Sequence, residues 1–289
     1  MTSEGGTAGV RDVDLAVRVE LCHAALQHLA DLHGVDLLHV KGVAFEPRWR
    51  SSTTGGSDAD VLVRPSQVRR LVRALEERGW QRRSRFHTGS PFGHAQTYWH
   101  DHLGYADVHR FFPGLGRDEG TFDVLWSARD VRLLGGVPCP VPDEAGQALV
   151  FAVNEARNGR PPRAAALGGT EADVETGVLD LVPRVHAEVA WAAAHGRLDA
   201  VRDHREHDLW RAVTQDGGRV EEWVARVKAE RTLTGKALTV LRAPLVNTEH
   251  LANTRGHRPS PVEVGVEFAD RVRRAALEVW RSRRPGAGR

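Results

Sequence analysis

From about Val13, apolar residues return at helical spacing through Val17, Leu21, Ala24, Ala25, Leu29 and Leu32, and Gly34 supplies a stop. The following VDLLHVKG (35–42) is a short apolar run that predicts a buried strand ending in a turn. After a polar, glycine-rich loop, SDADVLV (57–63) predicts a second strand. RPSQVRRLVRALEERGW (64–80) is the clearest helix. Ser66 is placed to cap it, Val68, Leu71, Val72 and Leu75 form one stripe, and Gly79 suits its end. HAQTYWHDHLGYADVHRFF (94–112) predicts two strands joined by a tight turn at 101–104.

Proline and glycine then crowd LLGGVPCPVPDEAG (133–146), which marks a boundary near residue 140. Beyond it the period is helical: EAGQALVFAVNEAR (144–157), VETGVLDLVPRVHAEVAWAAAHG (174–196) and GRVEEWVARVKAERTLTGKALTVLR (218–242). A loop rich in Gly, Arg and Pro at 158–170 separates the first two. FADRVRRAALEVWRSRRPGAGR (268–289) predicts a basic helix with a ragged tail. The expected fold class is α+β. A disordered N-terminus (1–12) precedes a part with a mixed sheet and helices (13–140), and a helical part (141–289) follows.

Composition narrows the chemistry. The 289 residues are 41% hydrophobic and 27% charged, enough for a real core, and the formal charge of +2 gives no global pull toward nucleic acid or membrane. The cations are nearly all arginine, lysine standing only at Lys41, Lys228 and Lys236. Two cysteines, Cys22 and Cys139, cannot build a disulfide framework or a four-sulfur zinc site. The N-terminus carries no secretory pattern and no apolar run approaches membrane-spanning length, so a cytoplasmic protein without a membrane partner is expected.

Against that background, Asp58 and Asp60 stand out. Residues two apart on a strand share a face, so both carboxylates project together, about 6 to 7 Å apart. Like charges that close repel unless a cation sits between them, and Mg²⁺ takes carboxylate oxygens together with substrate phosphates. A bare D-x-D at a strand end is ordinarily a solvated pair; this one has company. Upstream, Lys41 offers a point charge for a phosphate and Gly42 permits close backbone approach. Downstream, Tyr105, Asp107 and His109 share one strand face while Ala106 and Val108 take the other.

Together, an apolar strand ending in Lys-Gly, then Ser-Asp-x-Asp-apolar-Leu-Val, then a capped helix and x-Asp-apolar-His resemble the bacterial nucleotidyltransferase-like family of the polymerase-β superfamily. The resemblance spans about residues 38–110. The helical part is similar through DEAGQALVFAVNEAR and VLDLVPRVH. It implies a polymerase-β-type nucleotidyltransferase domain followed by a helical domain. Asp58 and Asp60 would hold the Mg²⁺ (or Mn²⁺) that carries the nucleoside triphosphate. Asp107 would join them at a second metal and help deprotonate the acceptor hydroxyl. Lys41 and Gly42 would contact the phosphates, with Ser57 and His109 among the nucleotide contacts. The implied reaction moves a nucleoside monophosphate, AMP from ATP by default, to a small-molecule acceptor with release of pyrophosphate. The alternatives are transfer to an RNA end or protein side chain, or a nucleotide-binding module without turnover. Thr54 stands where the family carries an arginine, for which Arg50 is the nearest substitute. Asn154 stands where the helical part of the family carries a histidine.

Other patterns explain less. His204 and His207 read as one helical face, without a third zinc ligand, and His100 to His102 fall in the hairpin turn. A calcium loop starting at Asp58 fails, because Arg69 holds its twelfth position. Neither a G-x-S-x-G elbow nor a phosphate-binding G-x-x-x-x-G-K-[ST] loop is present. Arg271, Arg273, Arg274, Arg281, Arg283 and Arg284 read as a solvated basic face, and Trp191, Trp210 and Trp223 as core packing.

Overall fold

The structure, a computed structural model, describes residues 13–50, 56–86, 92–158, 172–215, 219–230, 232–242 and 259–282. The N-terminal segment 1–12, Thr54, nearly all of the 158–170 loop and the tail from Arg283 lie outside the described residues.

Helix α1 (Leu15–His33) starts where the Asp14 side chain accepts from the Ala16 N–H at 2.9 Å, and it stops at Gly34, whose φ of 59° is left-handed. Its buried face keeps Ala24 and Leu29 of the predicted stripe but is otherwise rotated from it. Val19, Cys22, His23, Leu26, Leu29 and Ala30 meet the sheet, whereas Val17, Leu21 and Leu32 are exposed. Hydropathy misleads here because the buried stripe includes polar His23 and Gln27, which bond to His39 of the next strand and, for Gln27, to Asp31 of the same helix.

Strand β1 (Leu37–Val40) follows, then β2 (Asp58–Val63), α2 (Val68–Glu77), β3 (Gln81–Arg82), β4 (Ala95–His100) and β5 (Gly104–His109). They form one sheet in the order β1-β2-β5-β4-β3. The β2–β5 pair is parallel and every other pair is antiparallel. Ser66 does not cap α2. Residues Pro65–Gln67 form a 3-10 turn before it, and the Ser66 N–H donates to Glu119 Oε1 at 2.6 Å instead. Gly79, with φ 85°, turns the chain after α2 as expected.

Helix α3 (Glu119–Ser127), capped by Asp118, leads into the stretch read as a boundary. That stretch is a hairpin, β6 (Asp130–Leu134) and β7 (Val137–Val141), turning through Gly135 and Gly136 at φ 54° and 81°. Pro138 and Pro140 alternate with Cys139 along β7, as an edge position allows.

The helical part comprises α4 (Glu144–Arg157), α5 (Ala172–Arg184), α6 (Glu188–Ala194), α7 (His207–Thr214), α8 (Arg219–Ala229), α9 (Leu233–Arg242) and α10 (Pro261–Ser282). What the period read as one helix over 174–196 breaks after Pro183, where His186 takes φ 54°.

Two apolar clusters sandwich the sheet. On one face, Ala59, Val61, Val63, Ala106 and Val108 pack against α1 and α2. On the other, Leu38, Val40 and Leu62 join Leu149 and Val153 of α4, Val178 and Trp191. One core therefore runs across residue 140, and α4 lies against the strands. The described residues make an α+β protein, and none of their helices is long and apolar enough to cross a membrane.

A buried polar chain links α1 to β1. Gln27 Nε2 donates to Asp31 at 2.7 Å, so Gln27 Oε1 accepts from His39 Nε2 at 3.0 Å. His39 Nδ1 is then bare and accepts from His23 Nδ1–H at 2.8 Å, leaving His23 Nε2 buried without a hydrogen-bond partner. Both rings are therefore neutral. Burial pushes His23 down to about 4 and holds His39 well below the imidazole range. The unfolded chain binds these protons near pH 6.5 and the folded one does not, so stability falls with pH below that value. Relative to a His23→Gln variant, the wild type should lose on the order of 3 kcal/mol between pH 7 and 4, read by urea unfolding at both.

Candidate functional site

Alternation along β2 and β5 sorts their side chains. Ala59, Val61, Ala106 and Val108 go to the α1/α2 face, which leaves Asp58, Asp60, Asp107 and His109 on the other. Parallel pairing then sets Asp60 opposite Asp107, Leu62 opposite His109 and Asp58 opposite Tyr105. Among the described residues, Asp60, Asp107 and His109 form a group whose metal-ligating atoms all lie within 4.8 Å of one another. Asp58 shares their face without belonging to that tight group.

Asp60 is the hub. Its Oδ1 accepts from His109 Nε2 at 2.7 Å and faces Lys41 Nζ at 2.5 Å. A carboxylate only accepts, so neutral His109 carries its proton on Nε2, and its buried Nδ1 has no hydrogen-bond partner. Lys41 reaches Asp60 through an unusual backbone, φ 63° and ψ 179°, followed by Gly42 at φ 52°. That first conformation is nearly confined to glycine and costs of order 1–3 kcal/mol, so the surrounding fold holds Lys41 in place against strain.

The electrostatics are those of crowded acids. Asp58 is pushed up to about 6, mainly by the Asp60 charge and then by burial, against the pull of Lys41 and the Ser57 N–H. Ser57 itself is exposed at the mouth of β2. Asp107 is also pushed up to about 6, first by burial and then by Asp60, while a hydrogen bond with Thr97 opposes the shift. Burial, followed by the Lys41 and Arg157 charges, keeps His109 well below the imidazole range.

Arg157 escaped the sequence reading, which stopped at Asn154. It ends α4 and brings a cation from the helical part to the acids. Its guanidinium donates to Asn154 Oδ1 at 3.0 Å and to His94 Nε2 at 3.0 Å, and the His94 ring lies 5.0 Å from that of His109. Burial lowers the Arg157 pKa, and the charges of Asp60 and Asp107 oppose that shift. Its only signal in the chain is the three-residue spacing from Asn154, one helical turn.

Arg50, the nearest substitute for the family arginine, spends its guanidinium on the carbonyls of Phe45 (2.9 Å) and Val43 (3.3 Å). His204 sits in a turn while His207 opens α7 beside Asp208, so the two do not share a helical face. His100 ends β4 and His102 lies in the β4–β5 turn. Trp191 and Trp210 are core, Trp223 lies under Arg226, and Cys22 and Cys139 are buried free thiols. Arg273 and Arg274 pair with acids of their own helix.

No family model, curated protein or solved structure matches this chain. The site therefore stands on its own geometry. Crowding of Asp58 against Asp60 has a measurable consequence in the metal-free protein. Neutral, isosteric Asp58→Asn should raise stability by about 1 kcal/mol at pH 7.5, a figure discounted for partial exposure, as a thermal melt would read.

Proposed function

We propose that the protein is a Mg²⁺-dependent nucleotidyltransferase with a polymerase-β-type domain, which transfers AMP or another nucleoside monophosphate to a small-molecule acceptor. The observation that carries this reading is the register of β2 on β5, which sets Asp60 opposite Asp107 with Asp58 two residues away on the same face. The donor chemistry fits the cation. Carboxylate oxygens suit Mg²⁺, and two of these acids are held near 6 in their present surroundings. Asp58, Asp60 and Asp107 would hold it, and when bound it supplies charge neutralisation to phosphate oxygens.

The chain's own residues do the rest. Lys41 is a mobile point charge on a fixed backbone and can exchange Asp60 for a phosphate oxygen, with Gly42 leaving room for that approach. Arg157 offers a second cation from α4, on the helical side of the acids. Asp107, half-buried and near 6, is suited to take the proton of an acceptor hydroxyl at neutral pH. Catalysis of this kind is mostly positioning and charge neutralisation, which two cations and three acids on rigid elements can provide.

A ligand-free polar core is the second reading. In its favour, Asp60 already receives both Lys41 and His109. Against it stand the strained Lys41 backbone and the raised Asp58 and Asp107, costs that a purely structural cluster has no reason to keep.

Calorimetric titration of ATP and the other triphosphates, with and without Mg²⁺, separates the two. Transfer chemistry expects Mg²⁺-dependent binding that vanishes in Asp58→Ala/Asp60→Ala, and acceptor-dependent pyrophosphate release reduced at least about a hundredfold by Asp60→Asn. A polar core expects no triphosphate binding under any condition and only a change in stability from either variant.

A further inference from the structure

Two adjoining clefts lie along α2, which packs on the face of the sheet opposite the acids. The larger, of about 740 Å³, draws Arg69, Arg73, Arg82, Arg110 and Arg117 from three separate segments around a floor that includes Val68, Val72 and Phe111. Its one acid, Glu76, is already paired with Arg82 at 2.9 Å. The smaller, of about 460 Å³, shares Arg69 and Arg73 and adds Arg70. An arginine-rich composition scatters guanidinium groups over a surface. It does not by itself gather five of them, from a helix, a strand and one loop, around one concavity in a chain of net charge +2.

Two of these arginines are seated on aromatic rings. The Arg110 guanidinium lies 5.0 Å from the Phe86 centroid and 5.5 Å from that of Phe111, and Arg117 lies 4.5 Å from that of Phe111. Arg110 is further fixed by donating to the Gly93 carbonyl at 2.9 Å. Seated guanidinium groups lose less freedom when they meet an anion, and their planar forks match phosphate oxygens.

We propose that this groove binds a single strand of RNA through its phosphates. A lone phosphate would fill neither cleft, whereas a chain of phosphates can run from one to the other past Arg69 and Arg73. A concave site of this size admits one strand more readily than the convex backbone of a duplex. Flat arginine faces over phenylalanine also give bases a surface to stack on. The groove lies on the opposite face of the sheet from Asp60 and Asp107, so its occupancy does not depend on the transfer chemistry proposed above.

Fluorescence anisotropy with a labelled oligouridylate, on the full chain, tests this. Three to five phosphate contacts give a plot of log K against log salt with a slope of about −2 to −3.5. Arg73→Glu/Arg117→Glu should weaken binding at least about tenfold at low salt. Arg202→Glu/Arg205→Glu, the same charge change on an exposed turn far along the chain, should leave binding within about twofold, with circular dichroism showing both variants folded. Asp60→Asn should retain full RNA binding, which keeps this result separate from the nucleotidyltransferase reading. The proposal is overturned by no binding at about 100 μM protein in low salt, by equal losses in the two arginine variants, or by loss in Asp60→Asn.

Discussion

The parallel pairing of β2 with β5 is the constraint on which the rest depends. It is the one parallel pair in the sheet, and its register decides that Asp60 meets Asp107 and Leu62 meets His109. A slip of β2 by one residue would turn Asp58 and Asp60 toward the α1/α2 core, where Val61 now sits, and leave Asp107 on the other face. The apolar alternation of the two strands therefore fixes the charged face as firmly as it fixes the core. Burying Ala59, Val61, Ala106 and Val108 is what obliges three acids and a histidine to share the opposite side.

Once gathered, those acids need positive charge, and the fold supplies it from both halves of the chain. Lys41 comes from the end of β1, at the cost of a backbone conformation that glycine would adopt more easily. Arg157 comes from the last turn of α4, which is anchored on the same sheet face through Leu149 and Val153. The helical part thus does more than pack: it contributes a cation and forms one wall beside the acids. Histidine has two separate uses here. His109 and His94 connect Asp60 to Arg157, whereas His23 and His39 tie α1 to the edge strand on the far face and stay neutral although the Asp60 charge pulls His23 the other way.

Much of this was legible in the sequence because it is local. Gly34 and Gly79 end or follow helices for conformational reasons, and the period-two pattern of DADVLV and YADVH assigns each acid to the polar face. Neighbourhood was not legible in the residues themselves; only the family resemblance joined Asp107 to the pair. More than forty residues separate Asp60 from Asp107, and nothing local says that their strands are adjacent, parallel and in that register. Arg157 was hidden for the same reason, since its meaning lies in a helix docking on a distant strand. Hydropathy also failed where polar groups are buried inside the protein, as with His23 and Gln27 on α1. The Pro- and Gly-rich stretch over 133–146 reads as a boundary near residue 140, yet the hairpin over 130–141 lies across it, because a tight turn and an edge strand use the same residues that boundaries use. Ser66 had the chemistry of a cap, but Pro65 and the neighbouring Glu119 gave that turn another solution.

The central claim is that Asp58, Asp60 and Asp107 exist to hold a divalent cation against a phosphate. Anomalous diffraction from crystals grown with Mn²⁺ and a non-hydrolysable nucleoside triphosphate analogue tests it most directly. The account expects a manganese peak bounded by carboxylate oxygens of Asp60 and Asp107, with Lys41 turned from Asp60 toward a phosphate. Nucleotide and manganese bound elsewhere, or a Lys41–Asp60–His109 cluster unchanged in their presence, would contradict it.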